Sequence, residues 1–337
     1  MRNVLQRMRC VMDKDIGIDL GTKNISVYVK GRGLVFHEPT VVAIKRGNGK
    51  VLALGGAAKR MLGRSSRDVQ VVNPMREGVI ADLSATEAIF RHMFEQVLGY
   101  GSYRRSKVMV CAPIGSTHLE RRALRNAVQS VGARSMDMLD EPMAAALGAK
   151  LPVSEPVASM IVDIGGGITE AAIISLGGIV NHTSMRCGGE KMDEAIQSHV
   201  RRRHNMLISR GEAEEAKIRA GKAHPDLEDL VVTVRGRNLA TGLPDAVKVT
   251  SAEIHEAIRD QVSAIERIAH EALERCPAEL AGDLMTSGIN LTGGGSLLRG
   301  MDDYLREKLG IPVRVMDDPL RSIVRGLGYV LESPTEA

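Results

Sequence analysis

Short apolar runs alternate with segments of helical period along this 337-residue chain. A strand pair is predicted over Asp15–Lys30, where a Gly-Thr turn separates the apolar strings IGIDL and ISVYVK. A helix is predicted over Ser84–Leu98, with Asp82 or Ser84 as its N-cap. The other elements predicted in the first half are an extended segment near Thr40–Lys45, a buried strand at Lys107–Ala112, and helices at Ser116–Val131 and Glu141–Lys150. The alternation of strands and helices predicts an α/β fold.

The opening pattern occurs a second time near the middle of the chain. The string SMIVDIGGGITEAAII, within Ala158–Ile174, repeats the order strand, aspartate, glycine-rich turn, strand. Asp19 and Asp163 occupy the same place in the two copies and lie 144 residues apart. The sequence therefore indicates an internal duplication in which each of two lobes contributes one acidic, glycine-rich hairpin. No low-complexity linker separates the lobes, which favours lobes that interleave along the chain.

The segments after the second copy are mostly helical. The predicted elements are helices through Met192–Ile208 and Glu212–Ala223, a polar hairpin at Leu230–Thr250, helices at Ala252–Arg275 and Pro277–Met285, a strand at Gly288–Leu291, and a helix at Leu297–Leu309. The last strand and the last helix are joined by Gly293, Gly294 and Gly295. Such a loop leaves room for a flat ring or a phosphate beside the backbone, or it is only a tight turn.

Composition and charge are those of an ordinary soluble globular protein, with 44% apolar and 26% charged residues. The net charge of +4 is too small to indicate nucleic-acid binding, and no nucleic-acid partner is expected. The four cysteines have neither metal-ligand nor redox spacing, which favours a reducing compartment and hence the cytoplasm. No apolar run approaches the length of a membrane span, and the N-terminus lacks the features of a secretory signal.

The first 12 residues have the pattern of an amphipathic helix. At 100° per residue the apolar side chains share one arc, and arginines and other polar residues occupy the rest. The residues of the apolar arc are Met1, Val4, Leu5, Met8, Val11 and Met12. So short a helix is marginal in water and needs a surface on which to fold. We interpret it as a membrane-binding segment; the alternatives are a helix packed on the body of the protein or an unstructured tail.

The two hairpin turns carry residues suited to a polyphosphate and a metal ion. Gly21 and the glycines Gly165, Gly166 and Gly167 let the backbone approach an anion, and successive turn amides form a cradle for phosphate. Asp19 and Asp163 would hold Mg²⁺, mostly through its waters. Either turn alone is as well explained by an ordinary hairpin, and the duplication favours the functional interpretation. Glu141 is a candidate for orienting a water that attacks the terminal phosphate, or Asp140 beside it simply caps the helix.

Several long strings together resemble the actin, Hsp70 and sugar-kinase superfamily, most closely the bacterial MreB/Mbl actins. They include GIDLGT, VYVKGRGLVFHEPTVVAI, DEPMAAALGA, VDIGGGITEAAIISLGG, VRGRNLATGLP and LTGGGSLLRG. The resemblance implies an actin-like two-lobe fold with a duplicated RNase H-like core and four subdomains, binding ATP and Mg²⁺ in the central cleft. The implied division is a membrane-binding segment at 1–12, a first core at 13–38, 76–150 and 320–335 with a small subdomain at 39–75, and a second core at 151–190 and 253–319 with a small subdomain at 191–252.

The resemblance also implies roles for individual residues. Phosphate contacts carry over to Gly21, Thr22, Gly165, Gly166 and Gly167, Mg²⁺ contacts to Asp19 and Asp163, the water-orienting carboxylate to Glu141, and base and ribose contacts to Glu214, Lys217, Gly293, Gly294 and Gly295. Glu214 and Lys217 are also spaced for a surface ion pair on a helix. Lys23 stands where the family usually has a small residue, so it pairs with phosphate or points to solvent.

Ile168 is a second departure, because the family usually has threonine directly after the three glycines. That threonine is a second water-orienting group in the family, and isoleucine has no hydroxyl. Thr169 follows, but on a strand its side chain points to the opposite face. The resemblance therefore predicts ATP binding with slow hydrolysis.

The resemblance also predicts assembly into filaments on the inner face of the cytoplasmic membrane, where the protein organises cell-wall synthesis together with wall-synthesis proteins and so maintains cell shape. The alternatives are an Hsp70-like or sugar-kinase-like ATPase, or a scaffold paralogue that has lost hydrolysis. Against an Hsp70, no peptide-binding domain follows the last nucleotide helix. Against a sugar kinase, no catalytic base for a small substrate is evident.

Overall fold

The structure, a computed structural model, describes residues 15–99 and 106–333. The predicted membrane-binding residues Val4, Leu5, Met8, Val11 and Met12 lie outside the described residues. The described chain divides into two compact units. Unit 1 runs up to Leu151 and resumes at Arg321, and unit 2 runs from Pro152 to Leu320. The division of each unit into subdomains stays a prediction.

Unit 1 is an α/β unit. In chain order its elements are β1 (Ile16–Leu20), β2 (Asn24–Val29), β3 (Gly33–Pro39), β4 (Val42–Lys45), β5 (Val51–Leu54), α1 (Gly55–Lys59), β6 (Val69–Val72), β7 (Met75–Arg76), β8 (Val79–Ile80), α2 (Leu83–Leu98), β9 (Lys107–Ala112), α3 (His118–Ser130), β10 (Ser135–Asp140), α4 (Glu141–Gly148) and α10 (Ser322–Glu332). Its main sheet has the order β10-β9-β1-β2-β3, and β5-β4-β6 form a small separate sheet.

Unit 2 begins with the second copy of the strand pair. Its elements are β11 (Ser159–Ile164), β12 (Thr169–Ser175), β13 (Gly178–Met185), α5 (Gly189–His204), β14 (Met206–Ile208), α6 (Arg210–Ala220), β15 (Val231–Asn238), β16 (Pro244–Thr250), α7 (Ser251–Glu274), α8 (Ala278–Ser287), β17 (Ile289–Thr292), a 3₁₀ turn (Gly294–Leu297), α9 (Met301–Leu309) and β18 (Val313–Val315). Its main sheet has the order β13-β12-β11-β17-β18, and β14-β15-β16 form a small sheet.

The two main sheets have the same topology, which confirms the predicted duplication. β1 is antiparallel to β2 and parallel to β9, as β11 is antiparallel to β12 and parallel to β17. In both sheets the second strand also pairs with a third strand that is antiparallel to it, β3 in unit 1 and β13 in unit 2. The strand parallel to the first one, β9 or β17, pairs on its other side with a further parallel strand, β10 or β18. The first strand of each copy is buried along its whole length. Both aspartates therefore lie at the end of a central strand.

Two local features differ from the sequence expectation, and a third decides between two alternatives that the sequence left open. The helix predicted through Met192–Ile208 ends at His204, because Asn205 adopts a left-handed conformation (φ 51°) and the next residues form β14. The helix predicted from Leu297 begins only at Met301, after Gly300 with φ 70°. Asp82 caps α2 by accepting a hydrogen bond from the Ala85 amide, so Ser84 is not the cap.

Candidate functional site

The turn of unit 1 is closed by a single backbone hydrogen bond. The Gly21 amide donates to the Asn24 carbonyl at 3.0 Å. Thr22 is buried, and its hydroxyl oxygen accepts from the Gly78 amide at 2.9 Å. A hydroxyl that accepts one hydrogen bond still has its own proton to donate, so Thr22 keeps a donor suited to a phosphate oxygen. The Lys23 carbonyl accepts from the Thr40 amide at 2.9 Å, which fixes the backbone on the far side of the turn.

Two carboxylates of unit 1 lie near the end of β1. Asp19 is 9% exposed, and Glu141, the first residue of α4, is 7% exposed. Asp140 does not cap α4 with its side chain, because its carboxylate accepts from the Arg121 guanidinium at 2.6 Å. Glu141 and Leu20 line a cavity of about 20 Å³, which has room for one water molecule. Unit 1 thus places a buried carboxylate beside a water-sized space.

The turn of unit 2 repeats the closing bond of unit 1, since the Gly165 amide donates to the Ile168 carbonyl at 2.9 Å. Two carbonyls of this turn face the start of α5. The Gly165 carbonyl accepts from the Gly189 amide at 3.0 Å, and the Gly166 carbonyl accepts from the Glu190 amide at 2.8 Å. Neither Gly166 nor Gly167 donates its amide to another residue within the described ranges. The turn therefore presents amides for an anion while α5 supports its carbonyls.

The glycine loop after β17 lies directly against Asp163. A side-chain carbon on Gly293, which has φ 78°, would lie 2.5 Å from Asp163 Oδ1. A side-chain carbon on Gly295 would overlap the Ile164 side chain, whereas one on Gly294 would lie 3.2 Å from Leu320 Cδ2. The structure thus brings two parts of the predicted site together within unit 2, the turn at Gly165–167 and the glycine loop. Gly293 and Gly295 are required for that close approach.

Asp163 is a buried carboxylate on β11. It is 3% exposed, and its Oδ1 accepts no hydrogen bond from the residues that the structure describes. Burial raises the pKa of this carboxyl to about 7, because the charged form is desolvated. An oxygen of this kind fits a hydrated Mg²⁺ ion, whose positive charge and water protons supply what the site lacks. The residues of unit 2 therefore suit the metal that the sequence predicts.

Lys217 is held by a buried partner that the sequence did not indicate. Its ammonium lies 2.7 Å from Asp193 Oδ1 and donates to the Gly189 carbonyl at 2.8 Å. Asp193 is fully buried, and Gly189 follows the glycine that packs on the Gly165 carbonyl. Lys217 therefore connects α6 to the start of α5, whose amides bind the carbonyls of the turn at Gly165–167. Glu214, one turn earlier on α6, is half-buried.

The hydroxyl of Thr169 is already used elsewhere. Thr169 is fully buried and donates from Oγ1 to the Cys187 carbonyl at 2.7 Å. Ile168 is only half-buried. The two neighbours therefore face opposite sides of the strand, as the alternation of a strand predicts. Thr169 does not replace the missing hydroxyl at position 168.

The stability of the nucleotide-free protein is expected to depend on the ionisation of Asp163. An aspartate in water has a pKa of 3.8, and burial raises the pKa of Asp163 to about 7 in the folded protein. Between these values the unfolded chain releases a proton that the folded chain keeps, so the free energy of unfolding falls as pH rises. An asparagine side chain does not ionise, so Asp163→Asn abolishes this fall in the free energy of unfolding with rising pH. At about pH 8 the variant should be more stable than the wild type, by on the order of a few kcal/mol.

Denaturant unfolding of both proteins without nucleotide or metal, at about pH 5 and about pH 8, measures this effect. The stability advantage of Asp163→Asn should grow with pH. An advantage that is the same at both pH values would contradict the assignment of the titration to Asp163.

The chain belongs to the MreB/Mbl protein family, whose sequence model matches residues 13–337. It is 48% identical to the cell shape-determining protein MreB of Escherichia coli K12 over 334 residues, 98% of this chain and 96% of that protein. It is 39% identical to the cell shape-determining protein Mbl of Bacillus subtilis 168 over 320 residues, 95% of this chain and 96% of Mbl. The predicted family resemblance is confirmed.

Solved structures confirm the predicted actin-like fold. MreB5 of Spiroplasma citri bound to AMPPNP superposes with a TM-score of 0.89 at 35% identity, over 94% of this chain and 95% of that one. The same protein bound to ADP gives a TM-score of 0.89 at 34% identity, over 95% and 96% of the two chains. The MamK double helical filament gives 0.78 at 20% identity, over 96% and 99%, and shows the fold alone.

Across residues 15–99 and 106–333, no helix has both the length and the apolar composition that crossing a membrane requires.

Proposed function

We propose that this protein binds ATP with Mg²⁺, assembles into filaments on the inner face of the cytoplasmic membrane, and organises cell-wall synthesis to maintain cell shape. Membership of the MreB/Mbl family supports the role in cell shape, because the curated relatives carry that description. MreB5, at 35% identity, has been solved with AMPPNP, which supports ATP as the nucleotide. Wall-synthesis proteins are the partners that the family resemblance implies.

The observation that carries the nucleotide proposal is the arrangement around Asp163. The amides of Gly166 and Gly167 donate to no other described residue, and Oδ1 of Asp163 has no donor there. Amides of this kind suit phosphate oxygens, and the carboxylate suits the waters of Mg²⁺. When bound, Mg²⁺ supplies positive charge that offsets the charge of the phosphates. We assign Gly293 and Gly295 to the same site because they pack on Asp163 and Ile164.

We assign corresponding roles to the turn of unit 1. Gly21 and Thr22 form the turn, Asp19 precedes it, and Glu141 lines a water-sized cavity. In the proposal Asp19 contacts the hydration shell of Mg²⁺, and Glu141 orients the attacking water. Ile168 in place of the usual threonine makes hydrolysis slow. Lys23, Glu214, Lys217 and Gly294 complete the proposed nucleotide contacts.

We assign membrane attachment to residues 1–12, on the separation of apolar and polar residues in their sequence. A single helix of this length binds a lipid surface weakly. A filament presents many copies, so that attachment is strengthened by avidity. In the proposal, polymerisation and membrane binding therefore depend on each other.

Electron microscopy on anionic liposomes tests the proposed filament assembly and the proposed membrane attachment together. With Mg-ATP the full chain should form filaments that lie on lipid, and nucleotide-free protein should not. Deleting residues 1–12 should leave nucleotide affinity intact and detach the protein from liposomes in a sedimentation assay. Monomers under all conditions would contradict the filament assignment and favour an ATPase of the chaperone or kinase type. Unchanged lipid binding after the deletion would contradict the role of the N-terminus.

A further inference from the structure

A cavity of about 180 Å³ lies in unit 2, between two helices and a loop. This space is many times the roughly 10–15 Å³ that one water molecule needs, so a small organic ligand has room there. Its lining shares no residue with the site assigned to the nucleotide. The lining residues are His224 and Pro225 of the loop, His255, Arg259 and Val262 of α7, and Tyr304, Glu307 and Lys308 of α9.

The loop wall of the cavity is held in place by a buried lysine. Lys222 is 4% exposed, and its ammonium donates to two loop carbonyls at 2.7 Å each and pairs with Asp229 Oδ1 at 2.8 Å. The next residue, Ala223, donates its amide to the Arg299 carbonyl at 2.8 Å, close to the start of α9. The loop wall beside His224 is therefore preformed, and a ligand loses little free energy in ordering it.

Glu307, the carboxylate of the lining, is already paired with protein donors. Its Oε2 lies 2.9 Å from His224 Nε2, and its Oε1 lies 3.1 Å from Lys308 Nζ. These hydrogen bonds, from His224 first and Lys308 second, hold the pKa of the Glu307 carboxyl below its usual value. His224 Nδ1 accepts from the Asp226 amide at 3.3 Å, so the proton of the neutral ring is on Nε2, facing Glu307. An arriving anion thus meets a carboxylate whose charge is offset.

Three other polar groups of the lining have no hydrogen-bond or ion-pair partner within residues 15–99 and 106–333. They are the Arg259 guanidinium, the Tyr304 hydroxyl and His255 Nε2. His255 Nδ1 lies 3.2 Å from the Lys222 carbonyl, which only accepts, so Nδ1 carries the proton and Nε2 of the neutral ring is an acceptor. Burial raises the pKa of Tyr304, which keeps its hydroxyl proton as a donor. The cavity therefore offers one cationic donor, one neutral donor and one acceptor.

A phosphate monoester with one proton matches this set of groups. The flat guanidinium of Arg259 suits two phosphate oxygens, and the Tyr304 hydroxyl suits another. The second pKa of such a phosphate is about 6, so near neutral pH its remaining proton is readily donated to an imidazole nitrogen such as His255 Nε2. A carboxylate or a sulfate ester carries no proton at that pH and leaves this nitrogen without a donor. Val262, which is 2% exposed, and the ring of Pro225 provide an apolar surface for the organic group.

We propose that this cavity binds a small phosphomonoester, whose phosphate accepts hydrogen bonds from Arg259 and Tyr304 and donates one to His255. The organic group of the ligand packs on the apolar part of the lining. The bound ligand connects α7 to α9, so it stabilises unit 2 by mass action. This site is distinct from the nucleotide site, and the inference does not depend on the proposed function.

Phenyl phosphate is the probe, titrated by calorimetry into the full-length protein with and without Mg-AMPPNP. Arg259→Gln should weaken its binding by about 10–100-fold, because a hydrogen-bonded cation is lost, and Tyr304→Phe by about 2–10-fold. Phenyl sulfate should bind the wild type more weakly than phenyl phosphate does. Arg306→Gln is the matched control, because Arg306 is an exposed arginine of α9 that pairs with Asp302 and Asp303 and does not line the cavity. Its affinity should be that of the wild type.

The inference is wrong if the wild type does not bind phenyl phosphate, or if Arg259→Gln binds it equally well. An equal loss in Arg306→Gln would show attraction to general surface charge and would also overturn the inference. Equally tight binding of phenyl sulfate would exclude a phosphomonoester as the ligand class. Binding that Mg-AMPPNP abolishes and Arg259→Gln leaves unchanged would belong to the nucleotide site and contradict the proposal. A protein that binds phenyl phosphate through Arg259 but does not bind AMPPNP would refute only the proposed nucleotide function and would support this inference.

Discussion

Ile168→Thr is expected to raise steady-state ATP hydrolysis by about 10²–10³-fold, the effect of one positioned hydrogen bond in the transition state. The Ile168 carbonyl, not its side chain, closes the turn with the Gly165 amide at 2.9 Å. A change of side chain therefore leaves the turn intact. The neighbouring hydroxyl of Thr169 is held by the Cys187 carbonyl and does not supply the missing bond. Threonine at 168 restores a hydroxyl on the face where the structure has a half-buried isoleucine.

Ile168→Val is the matched control, because valine has the shape of threonine without its hydroxyl. Phosphate release under saturating Mg-ATP should stay slow in the valine variant and become fast in the threonine variant. The affinity for ATP should be similar in all three proteins. Equal turnover of the threonine and valine variants would show that the hydroxyl is not what limits hydrolysis.

Gly326→Ala is expected to destabilise the protein by about 3 kcal/mol, the upper part of the usual cost of overpacking. Helices α4 and α10 meet at two glycines. A side-chain carbon on Gly326 would overlap the Ala144 carbonyl, and one on Gly148 would overlap the Ser322 carbonyl. Both obstacles are backbone atoms, so no side-chain rotation relieves the collision. The helices must separate to accept even a methyl group.

Gly282→Ala is the control, because Gly282 also lies in a helix but has no atom within 4 Å of a built side-chain carbon. Alanine there should stabilise the protein by about 0.5–1 kcal/mol, since it lowers the entropy of the unfolded chain. Denaturant unfolding of the two variants and the wild type measures both changes. A Gly326→Ala variant as stable as the wild type would contradict the close helix crossing.

Local interactions made much of the fold predictable from the sequence. The two strand–turn–strand copies were visible because an aspartate and glycines interrupt apolar strings in the same order, and the structure confirms them with the same closing bond at Gly21 and Gly165. The strand predicted at Lys107–Ala112 is confirmed with the same bounds, because a short apolar run between polar segments is a local signal. The family resemblance rested on long strings in matching order, and the family model confirms it.

Other features required the actual backbone conformation or partners that are distant in sequence. The choice between Asp82 and Ser84 as cap, and the switch from helix to strand after His204, required the actual backbone. In the second case the strand forms because β14 pairs with β15, some 30 residues later. Lys217 was predicted as a nucleotide contact, but no pattern indicated its bond to Asp193, because that residue belongs to another helix.

The sequence by itself thus determined the alternation of strands and helices and the duplicated acidic turns, since these follow from short-range periodicity and turn chemistry. The actin-like fold and the roles expected of residues such as Glu214 and Lys217 came from the family resemblance of long strings in the sequence. The tertiary structure alone decided which of those residues meet. Strand register placed Glu170 beside Asp163, and a close loop approach placed Gly293 against the same carboxylate. Contacts of this kind arise when strands and loops pack, and a linear pattern contains neither the register nor the approach. The raised pKa of Asp163 has the same origin, because burial is a property of the packed sheet.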